Sequence, residues 1–327
     1  MKKRALWLGA VLMVVGAISV LAAACGGSSS SSSGGASSGA GVTTTVAGNV
    51  QVTSDPALHA LLPDKVKSAG KINCASDIPY MPWEGYVGTT SQPTGFDYDL
   101  SQAIGAKLGI PVSFNRLKFD SIILSIQAGK NDMTMSDMYD NAERQAVLSF
   151  VDYAEDTTSA LVLKGNPRGV TTQDSMSGKT IACESGTTQQ KLLQKLNAQF
   201  KSAGKSGITV LQLPDQPAAI LAVKGGKAAA DVTDHSTAVY NAKLSNGALE
   251  VAVDPTAPNG YEPALTGVGI LKSNTQLVTA VQKALQALID DGSYKKIVDK
   301  YGLIPVSSAQ VNMGAQPIPT SSASATP

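Results

Sequence analysis

The side chains able to do chemistry are few and scattered along the 327 residues. Two histidines, His59 and His235, are too few for a metal or histidine-dependent catalytic centre, and His235 has no second histidine at helical ligand spacing. Three cysteines, Cys25, Cys74 and Cys183, form no CxxC pair, which excludes a zinc ribbon and a disulfide-dense scaffold. Ser177-Gly178-Lys179-Thr180 ends like a phosphate-binding loop, but Gln173 stands where the loop needs its first glycine. Gly35-Ala36-Ser37-Ser38-Gly39 has the spacing of a nucleophile elbow inside a Gly/Ser run with no strand before it. Acids, rings and one arginine remain, gathered in Ser76–Glu84 and Ser136–Arg144. No base–nucleophile pair accompanies them, so no catalytic residue, metal or cofactor is expected.

Short apolar runs alternate with helical periods over residues 66–303. Lys71–Ser76 and Thr180–Cys183 read as strands carrying Cys74 and Cys183, expected as two buried free thiols, with a disulfide between them the alternative in an extracellular setting. Leu100, Ile104 and Leu108 recur every four residues behind Asp97 and Asp99. Ile122, Ile123 and Ile126 form another helical face, ended by Gly129. Leu277, Val278, Val281, Leu285, Leu288 and Ile289 trace a long amphipathic helix stopped by Gly292, with a shorter one behind it. Strand–helix alternation implies an α/β protein with largely parallel sheets.

The ends read differently. Lys2, Lys3 and Arg4 precede an apolar run, Ala5–Ala24, which is the layout of a secretory signal over residues 1–24. Leu21-Ala22-Ala23-Ala24-Cys25 resembles the lipobox of bacterial lipoproteins, with its leucine one place early, so Cys25 is the expected lipidation site. Without the three leading cations the formal charge falls from +1 to −2, which lacks the basic footprint of a nucleic-acid binder. Residues 25–65 are expected to act as a lipidated, Gly/Ser-rich tether, and residues 310–327 as a disordered tail.

Gly95-Phe96-Asp97-Tyr98-Asp99-Leu100 resembles the signature of family 3 extracellular solute-binding proteins, the amino-acid receptors of ABC importers. The resemblance continues through Phe119-Asp120, Gln127–Asp132, Glu143-Arg144, Gly186-Thr187-Thr188-Gln189, Asp234 and Asp291-Gly292-Ser293-Tyr294. It implies the two-lobed, type II periplasmic-binding-protein fold, with two hinge strands and ligand in the interlobe cleft. Lobe 1 would be residues 69–156 and 263–304, and lobe 2 residues 157–262. The Arg144 fork would grip a ligand α-carboxylate, aided by Gly186, Thr187 and Thr188 at a helix start. Asp234 would take the ligand ammonium, and Asp77, Tyr80 and Trp83 would contact its side chain.

Two positions depart from the family pattern. Asp137 stands where Gly or Ser is usual, and Tyr139 where Thr or Ser is usual. With Asp77, Tyr80, Trp83 and Glu184 they make an acidic, aromatic-walled pocket, suited to a basic amino acid or a quaternary ammonium zwitterion. The resulting expectation is a monomeric lipid-anchored receptor on the outer face of the cytoplasmic membrane, handing its small-molecule ligand to an ABC permease. A periplasmic dehydratase-like enzyme on the same fold and a sensor lipoprotein presenting its ligand are the alternatives.

Overall fold

The computed structural model describes residues 41–314; the signal run 1–24, Cys25, the Ser28–Ser33 run and residues 315–327 lie outside them. One continuous sheet organises the chain, in the order 209–213, 180–184, 230–234, 148–163, 261–271, 133–134, 72–76, 112–116. Its two flanks are parallel: Ile72–Ser76 lies between Val112–Arg116 and Met133–Thr134, and Thr180–Glu184 between Thr209–Leu213 and Ala230–Asp234. The centre is antiparallel, where Leu148–Leu163 runs against Tyr261–Leu271. The sheet is therefore mixed rather than largely parallel. Helical crossovers make the flanks parallel, whereas the two strands that pass between them run in opposite directions.

Those two central strands define the lobes. Leu148–Leu163 has sixteen residues, about 50 Å at 3.3 Å each. Its first half pairs with Leu265–Leu271 and its second half with Asp231–Asp234. Trp83, Phe96, Leu100, Ile104 and Leu285 belong to a core on one side, and Ile181, Leu193, Phe200 and Val232 to a separate core on the other. Both thiols are free and buried, Cys74 in the first core and Cys183 in the second. The apolar periods become the helices Phe96–Leu108, Ile122–Gln127 and Thr275–Asp290, and the last buries Leu277, Val281, Leu285 and Leu288 as its spacing predicts.

The Gly-Phe-Asp-Tyr-Asp-Leu stretch is structural in nearly every residue. Gly95 sits at φ +115°, and a Cβ there would lie 2.3 Å from the Trp83 carbonyl oxygen. Phe96 packs edge-on against Trp83 at 5.7 Å and lies 5.9 Å from Tyr153. Asp99 accepts from Lys300 Nζ (2.6 Å) and Tyr301 Oη (2.7 Å), tying its helix to Ser293–Tyr301. Asp97 accepts from the Asp137 backbone N–H at 2.7 Å and so holds a loop of the cleft.

Both ends hold more structure than their composition suggests. The tether reading fails from Thr43 onward: Thr43–Val46 and Val50–Thr53 form a hairpin whose Val46, Val50 and Val52 enter the first core. Alternating β-branched residues around Ala47-Gly48, both at positive φ, drive it. Asp55 then caps the helix Pro56–Ala60. The disorder reading fails over Gln310–Gly314. Ile304–Val311 pairs with Leu148–Leu163, and the N–H groups of Met313 and Gly314 donate to Asp152 (3.1 Å) and Asp140 (2.7 Å). Among the described residues no helix is long and apolar enough to cross a membrane.

Candidate functional site

Strand C-termini and helix N-termini from the two lobes meet at one enclosed space of about 10 Å³, room for about one water. Asp77, Tyr80, Asp137, Tyr139, Arg144, Thr187, Thr188 and Asp234, all expected at the site, line it. Glu84, Phe119, Ser136, Glu184 and Gln189 complete the lining. Among the lining residues Arg144 is the single cation against five carboxyl groups: Asp77, Glu84, Asp137, Glu184 and Asp234.

Arg144 lies on the short helix Ala142–Gln145, capped by the Asn141 side-chain Oδ1, which accepts from the Arg144 N–H (3.0 Å). Its Nη1 donates to the Tyr139 carbonyl (2.8 Å), its Nη2 to the Gly186 carbonyl across the cleft (3.4 Å), and its guanidinium lies 5.3 Å from the Phe119 ring centroid. Burial lowers its pKa to about 10 against the pull of Asp234, so it stays charged at neutral pH. Thr187 caps the fifteen-residue helix Thr188–Ser202, its Oγ1 accepting from Gln190 N (3.2 Å) and donating to the Glu184 carbonyl (2.8 Å). The start of that helix brings unpaired N–H groups and a positive dipole end close to the guanidinium, which together suit a carboxylate.

The acids come from both lobes. Asp234 ends Ala230–Asp234 and is held by the Tyr80 hydroxyl and by Gln189 Nε2 (2.7 Å). Asp77 follows Ile72–Ser76, and its N–H donates to Ser136 Oγ (2.9 Å), which donates in turn to Glu84 Oε1 (2.7 Å). Asp137 has φ +41°, a left-handed conformation that aspartate tolerates better than most residues, and neither of its carboxyl oxygens has a partner. Burial raises the pKa of all five, well above the ordinary value for Glu84 and Asp137 and to about 11 for Glu184. Asp156, just behind them and bonded to Ser236, is raised by burial and by Asp234 to about 7.

Two expected contacts lie elsewhere. Trp83 is fully buried under Phe96 and Tyr153 and does not line the cavity. Its loop folds beneath the helix Phe96–Leu108, with the Trp83 carbonyl accepting from Asp97 N (2.8 Å), while its Nε1 donates across the cleft to Ser236 Oγ (2.9 Å). Trp83→Phe is therefore expected to weaken ligand affinity by no more than about tenfold, the value of one hydrogen bond. It should also lower the melting temperature; a loss of several hundredfold in calorimetric titration would restore Trp83 as a direct contact. Gly186 also leaves the lining. It sits close against the other lobe, at φ +81°, where a Cβ would meet Asp120 Cβ at 2.9 Å. Glu184 lines the pocket in which the sequence placed it; the missed lining residues, Glu84, Phe119, Ser136 and Gln189, stand within or beside the segments that carry the resemblance, but spacing alone does not show which way they point.

The lobes also touch outside the cavity. Lys118 pairs with Asp215 (2.6 Å) and Lys191 with Glu143. His235 is a bystander, its Nδ1 2.8 Å from Ser159 Oγ. Two α/β lobes on a pair of crossing strands, closed over a buried polar cavity, define a two-lobed solute-binding protein. Residues 72–304 match the family model described as bacterial extracellular solute-binding proteins, family 3, and the chain belongs to that family. It is 30% identical over 247 residues to the ABC transporter arginine-binding protein 1 of Escherichia coli K12, covering 75% of this chain and 96% of that one. It resembles the structure of an ancestral arginine-binding protein bound to arginine, with a TM-score of 0.64, 27% identity and coverage of 71% and 98%. It also resembles the ancestral amino-acid-binding protein AncCDT-1, a precursor of cyclohexadienyl dehydratase, with a TM-score of 0.64, 26% identity and coverage of 74% and 99%.

Proposed function

We propose that this chain captures an amino acid with a cationic side chain, of the arginine or lysine class, and delivers it to an ABC permease. The observation that carries the reading is the charge balance of the cavity: one guanidinium among five buried carboxyl groups, with the Tyr80, Phe119 and Tyr139 rings as walls. A neutral or acidic amino acid would leave that negative field unanswered, whereas a ligand with two cationic groups and one carboxylate answers both signs. The arginine named in the relatives' descriptions supports the same class. Arg144 and the helix start at Thr188 take the carboxylate, Asp234 the ammonium, and Asp77 with Glu184 the distal cation.

The enclosed space is far smaller than such a ligand, so entry requires the lobes to part about 148–163 and 261–271 and to close again on it. In this reading lobe 1 is residues 69–156 and 263–304, lobe 2 is residues 157–262, and the receptor works as a monomer outside the cytoplasm. A signal over residues 1–24 and a lipid on Cys25 would hold it at the membrane, by a tether that ends near Thr43.

Thermal unfolding of the purified chain against a panel of amino acids tests this. Ligand at 100 times its Kd adds about 2.7 kcal/mol. At about 2–4 °C per kcal/mol that is a rise of about 5–11 °C. Arginine or lysine should give it, and glutamate and alanine should not; the reverse order would sink the reading. The likeness to a dehydratase precursor, together with the buried acid Glu184, favours one second reading, an eliminating enzyme on the same fold. Appearance of a product from a bound compound would select it.

A further inference from the structure

Two of the five carboxyl groups face each other from opposite lobes. Asp77 follows the strand Ile72–Ser76 and Glu184 ends the strand Thr180–Glu184, and the two are 2% and 3% exposed. Both line the same enclosed space. Asp77 Oδ2 and Glu184 Oε1 are buried with no hydrogen-bond partner. Two ionised carboxylates sharing one buried site repel strongly, so one of them must keep a proton.

The surrounding charges do not remove that requirement. From lobe 1, Glu84 adds negative charge beside Asp77, and the cations are Arg116 and Lys118. Lys118 is already paired with Asp215, which caps the helix Gln216–Lys224 of lobe 2. Asp231, on the neighbouring strand, adds a further acid facing Glu184.

We infer that the Asp77–Glu184 pair is the seat of the ligand's cationic end and holds a proton which that end expels, so that each captured basic amino acid releases one proton. The inference rests on the proposed function above. The O–H bond of the pair breaks, its electrons stay on the carboxylate, and the proton passes to water or buffer. Guanidinium or ammonium N–H donors replace it, and the charge of the site is unchanged. The raised pKa values of both acids, driven first by burial, agree with the geometry. A proton lost on binding makes affinity rise with pH, about tenfold per unit, wherever the empty pair is protonated and the filled pair is not. That window runs from above the ordinary carboxylate range towards the value near 11 of Glu184.

Calorimetric titration of the full chain with L-arginine at pH 7, in phosphate and in Tris, counts the protons from the difference in heat. One proton released with arginine is the expected result, with none released by citrulline, the uncharged analogue, if it binds. Glu184→Gln keeps the volume but has no proton to lose, and it should bring the count with arginine to zero; Asp77→Asn should do the same. Equal heats in the two buffers, with arginine bound, would overturn this inference and leave the proposed function standing. Release that persists in both variants would also overturn it, since the proton would then come from other groups. No binding of any basic amino acid would overturn the proposed function and this inference with it.

Discussion

Replacing Arg144 with alanine is expected to weaken capture of L-arginine by about 30-fold to several thousandfold. The guanidinium is 8% exposed and is fixed by two backbone carbonyls, one from each lobe, so its remaining donors point where a carboxylate would sit without further ordering. It is also the one cation among the lining residues. Truncation leaves a buried ligand carboxylate facing five acids, and removing one member of such a buried pair costs about 2–5 kcal/mol. At 1.4 kcal/mol per tenfold, that gives the stated range. Agmatine, arginine without its carboxylate, supplies the control: its affinity should fall far less in the same variant. Arg144→Lys should recover only part of the loss, because a point charge cannot make the two-pronged contact. Equal losses for arginine and agmatine would mean that Arg144 acts through the fold and not on the carboxylate.

Elements with a strong period were legible in the sequence. The helix Thr275–Asp290 shows its buried stripe directly, because a helix on a sheet must place its apolar residues every three to four positions. The two-lobed plan was legible only through the resemblance carried by Gly95–Leu100 and the motifs after it. Nothing local in Leu148–Leu163 announces that one strand serves both lobes, since that depends on partners far apart in the chain. The hairpin at Thr43–Thr53 was hidden by the Gly/Ser composition on its N-terminal side, although Val46, Val50 and Val52 carry its buried contribution to the core.

The cleft shows the same division. Arg144, Asp77, Tyr80 and Asp234 were placed from motif order, and all line the cavity. Trp83 was placed wrongly, because a ring in a proline-rich loop looks the same whether it faces ligand or core. Only its stacking under Phe96 and Tyr153 decides the matter. Asp137 carries more information than its departure from the family pattern suggested. Its left-handed backbone is held by Asp97, so the signature segment of lobe 1 presents two unpartnered carboxyl oxygens to the cavity. A substitution of Asp97 would therefore act on binding through the loop it holds, at a site it does not line.

Asp234→Asn should produce the second large effect, a loss of about 30-fold to several hundredfold in affinity for L-arginine. The Asp234 carboxyl takes the Tyr80 hydroxyl and Gln189 Nε2, donors from both lobes, and lies within hydrogen-bond reach of Tyr139. Burial raises its pKa, while these bonds favour the ionised form that would take the ligand ammonium. An asparagine amide keeps the volume but removes the charge, and its N–H groups oppose the donor of Gln189. Hydrogen bonds to charged groups contribute about 1.5–3 kcal/mol, and an ammonium left without its counter-charge adds to that loss. The folded chain itself should lose little stability, because the substitution also removes a buried charge crowded by Asp137 and Asp156. The decisive comparison uses 5-guanidinovalerate, which has the guanidinium and carboxylate of arginine but no ammonium. Wild-type protein should bind it weakly, and Asp234→Asn should weaken it little further, so the two changes are strongly non-additive. Additive losses would show that Asp234 holds the closed cleft together through Tyr80 and Gln189 and never meets the ammonium.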